Sequence, residues 1–233
     1  YGAPAADLEN KEDPLEEAIY IILSFQTNLE RFKQVWGQLR AAFPSWDSMI
    51  QAPLGRISRV LRVGGLQEQK AKRIKNLLKA VKRETGSYSL DVLRQMDDEE
   101  AERFLTRLPG LSWKASRCVL LYSLDRDVFP IDGNTFRILK RVGVLDRKSV
   151  YRRRSLHDGV QDAVDPSRRK SFHINLVVHG QRTCLPRHPR CSICVARKMC
   201  AMQGVPADLK TQARRSAEGG SGVAMASQTR ALV

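Results

Sequence analysis

Arg107-Leu108-Pro109-Gly110-Leu111-Ser112-Trp113-Lys114-Ala115 is the stretch on which the fold turns. Phe104 and Leu105 precede it at helical spacing, and Ala115, Cys118, Val119 and Tyr122 follow it in the same way. The stretch therefore reads as a tight turn between two helices. Gly110 permits the left-handed backbone such a turn needs, so successive amides at the start of the next helix can converge on one point. Unpaired amides there attract an anion such as a DNA phosphate, and they grip backbone without reading a base. Leu-Pro-Gly alone is weak support, so the reading depends on what surrounds it.

Outward from the hairpin, helix periodicity runs almost throughout and strand alternation is nearly absent, which predicts an all-α protein. Pro14 after Asp13 opens a helix whose apolar set Ala18, Ile21, Ile22 and Phe25 runs to Thr27-Asn28. Asn28 caps the next, which buries Leu29, Phe32, Val35, Trp36 and Leu39 and stops at Pro44. Val63-Gly64-Gly65-Leu66 turns into a long basic helix with Ala71, Ile74, Leu77, Leu78 and Val81 inward. Asp97 or Asp98 caps the helix entering the hairpin, and Trp113 to Asp125 is the helix leaving it. Val128-Phe129-Pro130-Ile131 is a short extended crossing. Helices are predicted over 135–141, 155–164 and 167–178, and residues 205–233, poor in apolar anchors, read as a disordered basic tail.

The chain of 233 residues carries 40 Lys+Arg against 25 Asp+Glu, a formal charge of +15. Such an excess favours a polyanion, with nucleic acid ahead of an anionic membrane surface. No apolar run approaches the ~20 residues of a membrane span. The expectation is a soluble, intracellular protein: cytoplasm or nucleoid if bacterial, nucleus or a DNA-containing organelle if eukaryotic. The charge is uneven. The first 17 residues are acidic, whereas basic clusters fall at Arg152-Arg153-Arg154 and Arg168-Arg169-Lys170.

Cys184, Cys191, Cys194 and Cys200 are separated by six, two and five residues. Thiols so clustered in an intracellular chain suggest a metal site ahead of disulfides. Structural zinc usually pairs two short knuckles across a long loop, whereas one Cys-x-x-Cys flanked by single cysteines favours an iron–sulfur cluster; zinc stays open on spacing alone. With their flanks, His179-Gly180-Gln181-Arg182-Thr183-Cys184, Pro189-Arg190-Cys191-Ser192-Ile193-Cys194 and Met199-Cys200, they resemble the [4Fe–4S] loop of the endonuclease III family of helix-hairpin-helix DNA glycosylases. The resemblance implies a structural cluster holding a basic loop to DNA, with Arg187, Arg190, Arg197 and Lys198 on phosphates. Cys118, alone among apolar residues, reads as a buried hydrophobe.

The hairpin resembles the same family's, although Ser112 stands where a second glycine is usual, and Leu108, Gly110 and Ser112 then face the DNA backbone. Lys114 occupies the nucleophile's position. A helix N-terminus suits that role, because its positive partial charge disfavours the ammonium form. Ile131-Asp132-Gly133-Asn134-Thr135-Phe136-Arg137 resembles the segment that carries the family's catalytic aspartate, which places Asp132 in that role. Asp132 also suits a helix N-cap. Gly133-Asn134 replaces the usual Thr-His, which puts the base preference in question. Leu23-Ser24-Phe25-Gln26-Thr27-Asn28 resembles a family helix end, so Gln26 is expected to fill the gap left by an extruded base or to touch the opposite strand. Gly65-Leu66 with Lys70-Ala71 and Ile74 matches a further family segment and reads as structural.

The resemblance covers about residues 15 to 202 and implies a two-domain all-α fold. Residues 19–131 form a six-helix barrel, and residues 1–18 join 132–204 in an iron–sulfur domain, with DNA in the cleft between. It further implies a monomer acting on double-stranded DNA that holds a damaged base or an abasic site. The implied activity is glycosylase and abasic-site lyase, on oxidised pyrimidines first. Open alternatives are a water-using glycosylase, one for uracil or thymine mismatches or methylated bases, and a DNA-binding module without catalysis.

Overall fold

The computed structural model describes residue 4 and residues 6–218, and every regular element among them is helical. Two compact units emerge: Tyr1–Asp132 with Arg152–Asn175, and Gly133–Tyr151 with Leu176–Val233. No described helix is long and apolar enough to cross a membrane.

In the first unit, α1 (Pro14–Ser24) starts where Asp13 accepts from the Glu16 amide at 2.7 Å and Pro14 fills the first turn. Asn28 caps α2 (Leu29–Ala42) through the Arg31 amide at 3.0 Å, and Ser45 caps α3 (Trp46–Gln51). Each such cap is worth about 1 kcal/mol over alanine. α4 (Leu54–Val60) leads through a one-turn 3-10 segment, Arg62–Gly64, into α5 (Gln67–Thr85), which ends on Gly86 at φ 75°. α6 (Asp98–Arg107) begins with a reciprocal capping box between Asp97 and Glu100, and α7 (Trp113–Ser123) follows the hairpin. The predicted stripe of α5 is the one observed: Ala71, Ile74, Leu77, Leu78 and Val81 are fully buried.

The units divide the chain differently from the sequence expectation. Residues 1–18 were expected with the cysteine-bearing part, but α1 packs on α7, α2 and α5. The cause is its composition: Leu15, Ala18, Ile19, Ile22 and Leu23 are all buried, which needs apolar neighbours on several sides. Residues 152–175, containing α9 (Arg154–Asp162) and the first half of α10 (Arg169–Arg182), also belong to the first unit. There, Gln161 accepts from the Phe129 amide at 2.8 Å, and Phe129 stacks on Phe172 at 5.6 Å. Arg117, buried in α7, reaches Glu102 at 3.1 Å and also pairs with Asp158.

The second unit contains α8 (Gly133–Val142), the remainder of α10, the cysteine loop and α11 (Ala207–Glu218). α11 corrects part of the disordered-tail expectation, since Val205 and Ala213 are buried and α11 packs on the short turn Cys191–Ile193. Val205, Leu209 and Ala213 recur four residues apart, a one-sided stripe too sparse for composition to reveal. Residues 219–233 of that expected tail lie outside the described residues.

Candidate active site and cysteine loop

α6 hands over to the turn through buried Leu108, whose amide reaches the Leu105 carbonyl at 3.0 Å. Gly110 has φ 89°, and the nearest atoms to an added Cβ would be Arg73 Cβ at 3.5 Å and Ile22 Cδ1 at 3.6 Å. Conformation, not crowding, therefore requires glycine there. Ser112 caps α7, its hydroxyl accepting from the Ala115 amide at 3.4 Å. The serine thus preserves the turn while occupying one amide that glycine would leave free for an anion.

Lys114 lies in the first turn of α7, half-buried, with Nζ 6.0 Å from the centre of the Phe25 ring. One turn on, the Cys118 thiol hydrogen-bonds Lys114, and burial pushes that thiol up to about 11, with the charges of Glu17 and Asp132 adding to the shift. Cys118 is accordingly a neutral, buried group, as the sequence suggested. Asp132 stands half-buried at the end of the crossing Val128–Ile131, whose four residues are all buried.

Three further ionisable groups share this setting. Burial raises the Glu17 carboxyl to about 7, against the opposing pull of the Lys11 amide, Asn10 and the Lys114 charge. His173 is lowered to about 4, by burial first and the Lys114 charge, while Asp132 and a bond to the Pro130 backbone act the other way. Tyr122 is pushed well above its ordinary value by burial and by the negative charges around it. His173 lies 6.0 Å from the rings of both Tyr122 and Phe129. Its Nδ1 and the Tyr122 hydroxyl are buried with no hydrogen-bond partner among the described residues. Near pH 7 the surroundings of Lys114 thus hold a neutral imidazole, a neutral phenol and a neutral thiol, with Glu17 half-ionised.

Of the other expected residues, Gln26, Gly110 and Ser112 are exposed in the first unit, while the Leu108 side chain is buried and only its backbone can face a ligand. Gln26 has φ 53°, a left-handed conformation unusual outside glycine. Arg187, Arg190 and Lys198 are exposed in the second unit.

In that unit Arg137 and Arg141, one turn apart on α8, fasten the start of the cysteine loop. Arg137 donates to the Cys184 carbonyl at 2.9 Å, the Gly180 carbonyl at 2.9 Å and Asn134 Oδ1 at 2.9 Å. Arg141 donates to the Leu185 and Pro186 carbonyls at 2.6 and 2.7 Å and to Cys184 Sγ at 3.3 Å. His179 Nε2 is 3.6 Å from Cys194 Sγ. Among the described residues no three His, Cys, Asp or Glu are gathered tightly enough for one metal ion. The four cysteines nevertheless share a neighbourhood, since burial raises the Cys191 thiol and the charges of Cys184, Cys194 and Cys200 raise it further. Four thiolates are a donor set that either a structural zinc or an iron–sulfur cluster accepts.

Residues 19–158 match the HhH-GPD superfamily of base excision DNA repair proteins. The chain belongs to that superfamily. An Arabidopsis thaliana protein classed as a DNA glycosylase is 33% identical over 145 residues, covering 60% of this chain and 50% of the relative. Endonuclease III of Sulfolobus acidocaldarius is 29% identical over 154 residues, covering 66% of each. The chain thus spans half the length of the first and about two thirds of the second. A solved endonuclease III–DNA complex superposes with TM-score 0.73 at 20% identity, covering 91% of this chain and 90% of that one. At that identity the likeness establishes the HhH-GPD fold.

Sequence reading had passed over Glu17, His173 and the anchoring role of Arg141 in this HhH-GPD chain. Glu17 was detectable, because it precedes Ile21 by four residues on a helix that is otherwise apolar inward.

Proposed function

We propose that this chain releases a damaged pyrimidine, oxidised bases first, and then cuts the strand as an abasic-site lyase. The observation that carries the reading is Lys114, a half-buried primary amine in the first turn of α7 that acts, together with Asp132, on the same buried groups Cys118 and His173. A non-catalytic DNA-binding module would have no use for that arrangement.

A stacked nucleotide hides its glycosidic bond, so it must first leave the helix, at a cost of a few kcal/mol that damage lowers. Phosphates flanking the lesion are read as resting on the Gly110–Ser112 turn, with Arg187, Arg190 and Lys198 as further contacts. Gln26 meets the opposite strand or the gap. The Lys114 amine attacks the sugar C1′ as the C1′–N bond breaks, and the base leaves with that electron pair and takes up a proton. Asp132 opposes the positive charge growing on the sugar and accepts the proton that Lys114 sheds. The sugar ring opens to give an imine between Lys114 and C1′. Loss of a C2′ proton then expels the 3′ phosphate oxygen, which completes β-elimination. Cys184, Cys191, Cys194 and Cys200 are read as holding a [4Fe–4S] cluster, which would keep the basic loop folded and supply no redox step here.

Borohydride trapping on a panel of duplexes, each with one damaged base, tests the reading. Wild type is expected to form a covalent adduct, and Lys114→Gln none while still binding an abasic-site analogue. Base release by Lys114→Gln with only strand cleavage lost would instead show a water-using enzyme. Activity confined to mismatched uracil or thymine, or to methylated bases, would replace the oxidised-base assignment.

A further inference from the structure

Lys70 continues the buried stripe of α5, four residues before Ile74, and is 2% exposed. Its ammonium donates to the Leu23 carbonyl at 2.9 Å, to Thr27 Oγ1 at 2.6 Å and to the Gly64 carbonyl at 2.8 Å. Three N–H donors thus meet three oxygens, all neutral. The oxygens come from three places: the last turn of α1, the loop after it, and the turn before α5. Thr27 closes the arrangement by donating its own hydroxyl to the Gly64 carbonyl at 2.6 Å. At Gly64 an added Cβ would be tight against Val35 Cγ2 at 3.1 Å but in ordinary contact with Lys70 Nζ at 3.7 Å.

We propose that Lys70 is a positioning residue for DNA recognition, holding Gln26 at the surface by tying the end of α1 to the turn before α5. The proposal rests on the reading that Gln26 meets DNA. An ammonium buried with no counter-ion among the described residues is a costly way to fill a core position, and methionine of similar length would pack there. What only the ammonium does is draw oxygens from three segments to one point. Burial alone lowers its pKa, to about 8, so it is mostly charged at neutral pH. Gln26 adjoins Thr27 directly and has φ 53°, while Leu66, on the other side of the tie, has φ 51°. Left-handed residues other than glycine persist only where their surroundings over-determine them. Thr27, fixed through its side chain, supplies that determination one residue from Gln26.

Lys70→Met, Gln26→Ala and the double variant, each in the full chain, are compared for binding to a duplex with a tetrahydrofuran abasic analogue and to the undamaged duplex. Each single change is expected to lower the ratio of the two affinities by roughly tenfold, about the worth of one hydrogen bond to a charged group. The double variant should fall no further than the singles, because one acts through the other. Thr27→Val, which removes the shared hydroxyl and leaves Lys70 in place, should repeat the loss and stands in if Lys70→Met does not fold. A lowered Tm with an unchanged ratio in Lys70→Met and Thr27→Val would reduce Lys70 to a structural residue. Losses that multiply in the double variant would show that it acts independently of Gln26. An unchanged ratio in Gln26→Ala alone would instead remove the DNA role of Gln26, and the proposal with it, whatever Lys70→Met does.

Discussion

Glu17→Gln should make this protein more stable at alkaline pH, contrary to the usual loss on altering a buried, hydrogen-bonded carboxylate. The side chain is fully buried and accepts from Asn10 Nδ2 and the Lys11 amide, both at 2.6 Å. Burial outweighs those bonds and raises the carboxyl from 4.5 to about 7. A raised folded pKa means that the folded state binds the proton more tightly. The associated stability is full below about pH 4.5, declines as pH rises, and is gone above about pH 7. A shift of about 2.5 units corresponds to about 3 kcal/mol. Glutamine stays neutral and keeps one oxygen for the Lys11 amide, and the Asn10 amide can turn to accept from the new NH₂. Weakened bonds take back ~1 kcal/mol, which leaves a net gain of about 1–2 kcal/mol. Urea unfolding at pH 4.5 and 8.5 measures it. The variant should be equal or slightly weaker at the lower pH and stronger at the higher. His173, whose neutral form is favoured down to about 4, weakens the fold as pH falls below the ordinary histidine range, but it does so in both proteins and cancels from the difference. A variant weaker than wild type by more at pH 8.5 than at pH 4.5 would refute the reasoning and show Glu17 to be a well-paired carboxylate.

Arg117→Met strands the buried Glu102, so unfolding free energy should drop by about 3–5 kcal/mol; a loss under ~1 kcal/mol in urea titration would mean that the pair contributes little. Gly180→Ala would bring a Cβ within 2.5 Å of Asn134 Cβ, at the junction where Arg137 binds both residues. Overpacking there should cost ~1–3 kcal/mol, and limited proteolysis should cut the second unit first. Wild type should carry about four irons per chain, as the cluster reading requires. Cys194→Ala should lose them together with protection of the 184–200 loop; one zinc per chain would overturn the cluster assignment.

Helix locations were legible because the chain repeats the same local physics: an Asp, Asn or Ser cap, a stripe every three to four residues, a glycine or proline stop. Asp13, Asn28 and Asp97 cap helices as their side chains suggest, and the α5 stripe is buried as spaced. The division into units was not legible, because it depends on contacts far apart in sequence. The Phe129–Phe172 stack and the Arg117–Asp158 pair place 152–175 with the barrel, and no local pattern announces either.

The site shows the same split between local and distant causes. Lys114 and Asp132 stand out through adjoining motifs, but their electrostatic setting comes from Glu17 on α1, Cys118 on α7 and His173 on α10. Ser112 stands where a second glycine is usual, and its hydroxyl caps α7. The serine hydroxyl occupies the Ala115 amide and so gives α7 a firmer start just before Lys114. Lys70 is the clearest case in which a rule broken locally had a distant reason. A lysine on the apolar stripe of α5 contradicts helix patterning unless something buried accepts its three protons, and those acceptors lie 47, 43 and 6 residues away in sequence. A charged residue at a core position is therefore best read as a prompt to ask which buried oxygens gather around it. Here they come from the last turn of α1, the loop that carries Gln26 and the turn before α5.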